Sequence, residues 1–164
     1  MGMLVDELVS ELADRLLFHN LTLASAESCT GGWLGRELTA LAGSSHWYEG
    51  GVISYSNAIK EKVLHVPSAL LNQHGAVSEP VALAMALGVQ SALNTDASVA
   101  VTGIAGPGGG SLDKPVGTVW IAWCYGEQTH TCCFLFKGTR EEIRQQAVRE
   151  SLLGLLNLSE EIKK

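Results

Sequence analysis

The hydrophobic residues of this chain recur with two different spacings, one helical and one typical of strands. Near the N-terminus leucines stand at every fourth position, which predicts an amphipathic helix over residues 3–18. Short apolar runs flanked by turn-forming residues, such as residues 97–101, instead predict buried strands. The same reasoning predicts helices over residues 33–41, 67–74, 81–93 and 139–156, another with Asn57 as its N-cap, and strands over residues 21–26, 52–55, 119–123 and 131–136.

The alternation of helices and strands predicts the class of fold. We expect a three-layer α/β/α sandwich around a mixed, mostly parallel sheet of about five strands. The last two strands are joined by a turn at Tyr125-Gly126, so they should form an antiparallel pair. No repeat, linker or low-complexity segment interrupts residues 1–164, which we therefore treat as a single domain.

The composition narrows the class of protein further. Hydrophobic residues make up 46% of the chain and charged residues 17%, which argues against disorder. The formal net charge of −6 argues against a broad nucleic-acid-binding face, and no uncharged run reaches the length of a membrane span. The four cysteines show neither a CxxC pair nor a nearby histidine pattern, which favours reduced thiols and no bound metal. We expect a cytoplasmic protein, with no nucleic-acid or membrane partner, that forms a homodimer.

Three segments with reactive or glycine-rich residues each follow a predicted strand. They span residues 26–32, 55–60 and 101–107, with the sequences AESCTGG, YSNAIK and VTGIAGP. In open α/β sheets, ligands bind at the edge formed by the carboxyl ends of the strands. The pattern therefore indicates one site built from all three segments.

Ser28 is the candidate nucleophile because it stands where the first predicted strand gives way to a helix. Its hydroxyl would project above the sheet edge, and amides of the following turn, Cys29, Thr30 and Gly31, would bind a developing oxyanion. Gly31 lets the backbone approach a ligand closely, and a helix N-terminus favours negative charge. The alternative is structural, since Ser28 or Thr30 would also serve as a helix N-cap.

Lys60 is the candidate general base, because none of the five histidines lies in a comparably placed segment. A lysine serves as a base where burial or neighbouring positive charge keeps it neutral near pH 7. Helical spacing turns Lys60 back toward the strand end, whereas Lys62 faces elsewhere. Tyr55 would donate to the Ser28–Lys60 pair or relay a proton. Alternatively, Lys60 is a solvated helix lysine and Tyr55 packs at the strand end.

The third segment and the last predicted helix supply candidate substrate contacts. The loop over residues 103–110 would cradle a phosphate through its amides, although it has neither Walker A nor Rossmann glycine spacing. Thr102 would hydrogen-bond a ligand or only complete the turn. Arg140 and Arg144 lie one helical turn apart, so one or both would reach an anionic group unless they pair with neighbouring glutamates. The candidate substrate-binding residues are Cys29, Thr30, Gly31, Thr102, Gly103, Gly106, Arg140 and Arg144.

Taken together, the three segments resemble the CinA C-terminal domain family of nicotinamide-nucleotide amidohydrolases. The signatures AESCTGG, YSNxxK and VTGIAGPxGG all match, as does the KPVGTVW stretch at residues 114–120. The resemblance spans nearly the whole chain, at the length of the stand-alone form without the extra N-terminal domain of longer relatives. It implies an α/β enzyme that hydrolyses the carboxamide of nicotinamide mononucleotide to nicotinic acid mononucleotide and ammonia, without a metal or organic cofactor.

The resemblance also implies roles for individual residues. Ser28 matches the family's nucleophile, Lys60 its general base and Tyr55 the third member of the site. Thr102 matches a substrate-contacting threonine, and either Arg140 or Arg144 matches a substrate-binding arginine. Neutral Lys60 would then take the Ser28 proton, directly or through Tyr55, as Ser28 attacks the carboxamide carbon.

Three other interpretations stay open. In a non-catalytic nucleotide-binding module, Ser28 would be a cap and Lys60 a phosphate contact. An amidohydrolase of the same mechanism would act on another pyridine nucleotide or another amide, and a partner-binding or regulatory domain is the third alternative. We favour the enzyme, because a binding module has no need of serine, tyrosine and lysine placed together at neighbouring strand ends.

Overall fold

The computed structural model of the protein describes residues 2–162, and within that range the chain forms six α-helices and five β-strands. A single 3-10 turn, Ser44–His46, precedes the second strand. In chain order the elements are α1 (Val5–Phe18), β1 (Leu23–Glu27), α2 (Trp33–Ala40), β2 (Tyr48–Ile53), α3 (Asn57–Leu64), α4 (Ser68–His74), α5 (Glu79–Leu93), β3 (Ala97–Gly103), β4 (Thr118–Tyr125), β5 (Gln128–Leu135) and α6 (Arg140–Glu161).

The five strands form one mixed sheet in the order β2-β1-β3-β4-β5. The strand β1 runs parallel to both β2 and β3, while β4 is antiparallel to its two neighbours. Four of the five strands therefore point the same way, and the predicted α/β fold with a mixed, mostly parallel sheet is confirmed. Every residue of β1 is buried, as expected for a parallel strand covered on both faces.

Helices cover both faces of the sheet and enclose two apolar cores. On one face α1, α2 and α6 pack against large side chains such as Val99, Ile121 and Trp123. On the other face α5 packs against small residues of the strands, among them Ala26 and Ala100. These small side chains let α5 lie close to the sheet, which packs the interior densely.

A glycine on α5 decides how closely α3 approaches the sheet. A Cβ atom added at Gly88 would lie 2.1 Å from the Leu64 carbonyl oxygen, so only glycine allows the observed contact between the two helices. Since α3 carries Lys60, this packing also fixes the distance between that lysine and the strand ends.

Three predicted element boundaries are wrong in ways that affect the site. The strand β2 begins at Tyr48 and not at residue 52, because Gly50 and Gly51 lie within the strand and pair with β1. It ends at Ile53, so Tyr55 lies beyond the strand. The N-cap of α3 is Ser56 and not Asn57, because the Ser56 hydroxyl accepts a hydrogen bond from the Ile59 amide at 3.2 Å.

Across residues 2–162, no helix has both the length and the apolar character needed to span a membrane.

Candidate active site

Ser28 lies directly after β1, in the turn that leads into α2. Its backbone amide donates to the carbonyl of Val101 on β3 at 2.9 Å, so the turn is tied to the neighbouring strand. The residue is 8% exposed, which leaves the hydroxyl close to the surface at the carboxyl edge of the sheet. Neither Ser28 nor Thr30 caps α2, because the N-cap is Gly32 with a φ of 100°.

Lys60 points from α3 into the protein and meets Ser28. Its side chain is buried with 1% exposure, and Nζ lies 3.0 Å from the Ser28 hydroxyl oxygen. Nζ also donates to the backbone carbonyls of Ser54 at 2.8 Å and Tyr55 at 3.3 Å. Lys62 on the same helix is exposed. The structure therefore brings together the two residues that the sequence analysis placed at neighbouring strand ends.

Burial disfavours the charged form of Lys60. Burial lowers the pKa of the Lys60 ammonium from its ordinary value, because the charged form loses hydration. A neutral amine has two N–H donors and one lone pair. In the structure Nζ donates to the Ser28 hydroxyl oxygen and to both carbonyls. In the neutral amine the two carbonyls would take both N–H donors, and the lone pair would face the Ser28 hydroxyl, which is the arrangement that a general base requires.

Tyr55 contributes its backbone to the Ser28–Lys60 pair and directs its ring elsewhere. The residue is 61% exposed, and its phenol oxygen accepts a hydrogen bond from Arg140 Nη2 at 3.2 Å. Within residues 2–162 the phenol makes no hydrogen bond to Ser28 or Lys60. The other end of the Arg140 guanidinium donates to the Gly106 carbonyl at 2.7 Å, so Arg140 links Tyr55 to the glycine loop.

The turn after Ser28 offers two unused amides. Gly31 closes the turn, since its N–H donates to the Ser28 carbonyl at 3.1 Å. Within the described chain, the N–H groups of Cys29 and Thr30 have no acceptor, so these two are the candidate oxyanion donors. The sequence analysis named Gly31 with them, and the structure assigns its amide to the turn itself.

Glu27 is the residue of the site that the sequence analysis missed. Its carboxylate is buried and accepts from the Thr30 hydroxyl at 2.6 Å and from the amides of Gly32, Leu34 and Gly35 at 3.2, 2.9 and 3.0 Å. It therefore occupies the positive end of α2, which the sequence analysis had left for the substrate. A single acid in an otherwise apolar and small-residue strand was the available signal.

The two candidate arginines have different contacts. Arg144 donates from Nε to the Cys29 carbonyl and from Nη2 to the Thr30 carbonyl, both at 3.0 Å. Its guanidinium lies 5.5 Å from the ring centre of Trp33, a cation–π distance. Arg144 thus holds the turn beside Ser28, whereas Arg140 holds the loop after β3.

Thr102 and the glycine loop lie on the neighbouring strand β3. The Thr102 side chain is buried and its hydroxyl donates to the Ala76 carbonyl at 3.0 Å, which joins β3 to the segment before α5. Gly103 is the last residue of β3 and pairs with Val119 of β4. Residues 107–113 of the loop are exposed, and the backbone at Gly106 has a φ of 80°.

The cysteine in the turn is chemically inert as a nucleophile. Burial raises the pKa of the Cys29 thiol to about 12, so the thiol stays protonated at neutral pH. Among residues 2–162, no three histidine, cysteine, aspartate or glutamate side chains lie close enough together to hold a metal ion. Ser28 and Lys60 therefore remain the candidate nucleophile and base of the site.

A serine hydroxyl in contact with a buried lysine, at the carboxyl edge of an α/β sheet, is the arrangement expected of an α/β serine hydrolase. Comparison with known sequences identifies the family of the chain. The profile of the CinA C-terminal domain matches residues 5–159, and the chain belongs to that family.

Named relatives fall into a short and a long form. The nicotinamide-nucleotide amidohydrolase PncC of Pseudomonas putida is 45% identical over 157 residues, which cover 96% of this chain and 98% of that protein. A CinA-like protein of Gemmatimonas aurantiaca is 48% identical over 147 residues, or 90% of this chain, yet the match spans only 34% of that longer protein. The crystal structure of a CinA superfamily protein from Enterobacter cloacae superposes with a TM-score of 0.94 at 36% identity and covers 97% of this chain and 94% of its own.

Proposed function

We propose that the protein is an amidohydrolase that converts nicotinamide mononucleotide and water to nicotinic acid mononucleotide and ammonia. The observation that carries the proposal is the contact between Lys60 Nζ and the Ser28 hydroxyl at 3.0 Å, with two backbone carbonyls accepting the other donors of the amine. Similarity to the Pseudomonas putida amidohydrolase along nearly the whole of both chains supports the choice of substrate.

In the first half of the reaction, neutral Lys60 takes the hydroxyl proton while the Ser28 oxygen forms a bond to the carboxamide carbon. The amides of Cys29 and Thr30 stabilise the resulting oxyanion, and loss of one such donor typically costs about 3 kcal/mol of transition-state stabilisation. Protonated Lys60 then gives its proton to the nitrogen as the C–N bond breaks. Ammonia leaves, and Ser28 carries the nicotinate group as an ester.

In the second half, water replaces ammonia and the same groups act in the reverse order. Lys60, neutral again, takes a proton from water as the water oxygen attacks the ester carbon. The proton passes to the Ser28 oxygen when the ester bond breaks, which releases nicotinic acid mononucleotide and restores both residues.

The substrate contacts follow from the exposed parts of the site. Tyr55 and Arg140 lie together beside the pair, so the exposed ring of Tyr55 offers a wall for the pyridine and Arg140 offers a cation. The amides of the loop over residues 103–110 would take the phosphate. The Thr102 hydroxyl donates to Ala76, so without breaking that hydrogen bond it would meet a ligand only as an acceptor.

The experiment is ammonia release from nicotinamide mononucleotide by the purified chain, with and without a metal chelator. Ser28→Ala and Lys60→Met are compared with Lys62→Met, which removes an exposed lysine from the same helix. We expect turnover that survives the chelator, disappears in the first two variants and persists in Lys62→Met. Full turnover in Ser28→Ala would refute the proposed nucleophile. Tight binding without ammonia would instead favour the non-catalytic nucleotide-binding or regulatory module.

A further inference from the structure

We infer that Glu27 is a positioning residue that fixes the proposed nucleophile, Ser28, relative to its base, Lys60. This inference rests on the proposed function. Glu27 directly precedes Ser28, is 3% exposed and ends the fully buried strand β1. A buried carboxylate is unfavourable unless hydrogen bonds satisfy it, so the burial of Glu27 beside Ser28 needs a physical reason.

The side chain of Glu27 shapes the turn that carries Ser28. Oε1 accepts from the Thr30 hydroxyl and from the amides of Gly32 and Leu34, while Oε2 accepts from the Gly35 amide. The carboxylate thus satisfies the N–H groups at the start of α2, whose partial positive charge stabilises the anion. No arginine or lysine of the described chain pairs with it, so the helix itself supplies the compensation.

The backbone carbonyl of Glu27 is linked to Lys60 through Ser54. Its carbonyl accepts from the Ser54 amide at 2.8 Å, and the Ser54 carbonyl accepts from Lys60 Nζ at 2.8 Å. Glu27 therefore touches one segment that carries the nucleophile and one that orients the amine. A shift of its side chain moves Ser28 relative to Lys60 without removing either reacting group.

Glu27 accepts hydrogen bonds from some amides of the turn and leaves others unused, and this bears on catalysis. Glu27 uses the amides of Gly32, Leu34 and Gly35, and leaves those of Cys29 and Thr30 for the oxyanion. In Glu27→Gln the side chain keeps its shape, but one acceptor oxygen becomes an NH₂ donor that faces an amide donor. We expect the turn to shift, and displaced oxyanion donors lower kcat by about 10²-fold.

The test compares Glu27→Gln with Ser98→Ala. Ser98 is buried in β3 near the other end of the sheet, where its hydroxyl donates to the Ala86 carbonyl at 2.8 Å, so its loss destabilises the fold away from the site. For both variants kcat and KM for nicotinamide mononucleotide are measured well below the melting temperature. A fluorophosphonate probe is also used, because Ser28 forms the bond to phosphorus, fluoride leaves and Lys60 takes the proton, whatever the natural substrate is.

We expect Glu27→Gln to lower kcat and the probe rate by about 10²-fold with KM within about twofold, and Ser98→Ala to keep kcat within about twofold. The inference is overturned if Glu27→Gln keeps its probe rate, or loses it only in step with the folded fraction. A wild-type chain that reacts with the probe at Ser28 but releases no ammonia refutes the proposed substrate, while the probe rates still decide the role of Glu27. A wild-type chain that does neither refutes both.

Discussion

The turn after β1 and the loop after β3 follow adjacent parallel strands at the same edge of the sheet, and both contain several glycines. They are nevertheless built in opposite ways. The turn over residues 28–32 is fixed from three sides, by the Glu27 carboxylate, the Arg144 guanidinium and the Val101 carbonyl. In the loop after β3, residues 107–113 are exposed, and the loop is held mainly at its ends.

This difference separates two tasks. Reacting groups must stay within a fraction of an ångström of their productive geometry, so the segment with the nucleophile is braced. A segment that admits a nucleotide and releases a product needs access to solvent. Under the proposed function, the turn would take part in the chemistry and the loop would hold the substrate, so the two regions should respond differently to substitution.

The largest expected effect is the loss of Ser28 or of Lys60, the two proposed reacting residues. Ser28→Ala and Lys60→Met should each lower kcat by about 10⁴-fold or more, because residues that act as one unit are not replaced by the remaining groups. Ammonia release at saturating nicotinamide mononucleotide measures this loss. A decrease of less than about tenfold in either variant would show that the reacting pair lies elsewhere.

Lys60→Met should also change how the stability of the protein depends on pH. The pKa of Lys60 is lowered in the folded state, so near neutral pH the unfolded chain binds the lysine proton more strongly than the folded chain. Folding stability then rises with pH between the lowered pKa and the ordinary lysine value, and the buried amine is unfavourable below that window. The stability of Lys60→Met relative to the wild type should therefore increase as the pH falls through this window, which calorimetry at several pH values measures. A difference in Tm between the two proteins that does not change with pH would contradict this.

The two arginines provide the sharpest contrast between the regions. Arg144→Met should lower kcat by about 10²-fold with little change in KM, because the carbonyls of Cys29 and Thr30 lose their donor and the oxyanion amides move. Arg140→Met should raise KM by about tenfold with little change in kcat, because the loop and Tyr55 lose their connection. Steady-state kinetics of both variants distinguish the assignments, and the reverse pattern would exchange the roles of turn and loop.

The dependence of activity on pH should reflect the charge of Lys60 and not the contacts of the loop. Only neutral Lys60 accepts the Ser28 proton, so kcat/KM should fall by about tenfold for each pH unit below the pKa of the free enzyme's base. Since burial lowers the pKa of Lys60, this acid limb should lie below the ordinary pKa of lysine. Arg140→Met should keep the same limb, and a profile that does not change with pH would exclude Lys60 as the base.

Substitutions within the loop should have a smaller effect. A Cβ at Gly106 would lie 2.5 Å from a methyl carbon of Val116, in a backbone with positive φ, whereas Gly108 has open space around it. Gly106→Ala should raise KM by about threefold to tenfold and lower stability by about 1–3 kcal/mol. Gly108→Ala is the matched control and should be close to wild type. Equal kinetics in the two variants would argue against a substrate contact by the loop.

The smallest effect is expected from thiol modification. Cys132 and Cys133 are exposed, whereas Cys29 and Cys124 are buried and burial raises the pKa of both buried thiols. Iodoacetamide should label two thiols per folded chain and leave ammonia release unchanged, as intact mass and kinetics would measure. Loss of activity together with labelling of Cys29 would mean that the turn opens in solution.

Local patterns in the sequence were sufficient to predict most of the fold. Apolar spacing located every helix and strand to within a few residues, and the order of elements predicted a mixed sheet with helices on both faces. Local rules also failed locally, since Gly50 and Gly51 look like a turn but pair with β1 inside β2. Glycine marks a bend or a close approach, and only the neighbouring strand decides which.

For the candidate site too, some residues could be predicted from the sequence, and others became apparent only in the structure. The sequence alone singled out Ser28 and Lys60, because a serine after a strand and a lysine one helical turn into the next element are features of short segments. The contact from Arg144 to Cys29 spans 115 residues and that from Arg140 to Tyr55 spans 85. Side chains so far apart in the chain meet only through packing, so the sequence left the choice between the arginines open.

The sequence was therefore sufficient to predict the order of elements, the edge of the sheet that carries the candidate site, and Ser28 and Lys60 as its candidate reacting pair. Only the tertiary structure decided that the Tyr55 ring turns toward Arg140, that the Thr102 hydroxyl is engaged by Ala76 and that Glu27 occupies the start of α2. The physical reason is that backbone periodicity and turn chemistry act over a few residues, whereas hydrogen-bond partners are set by which distant segments pack together.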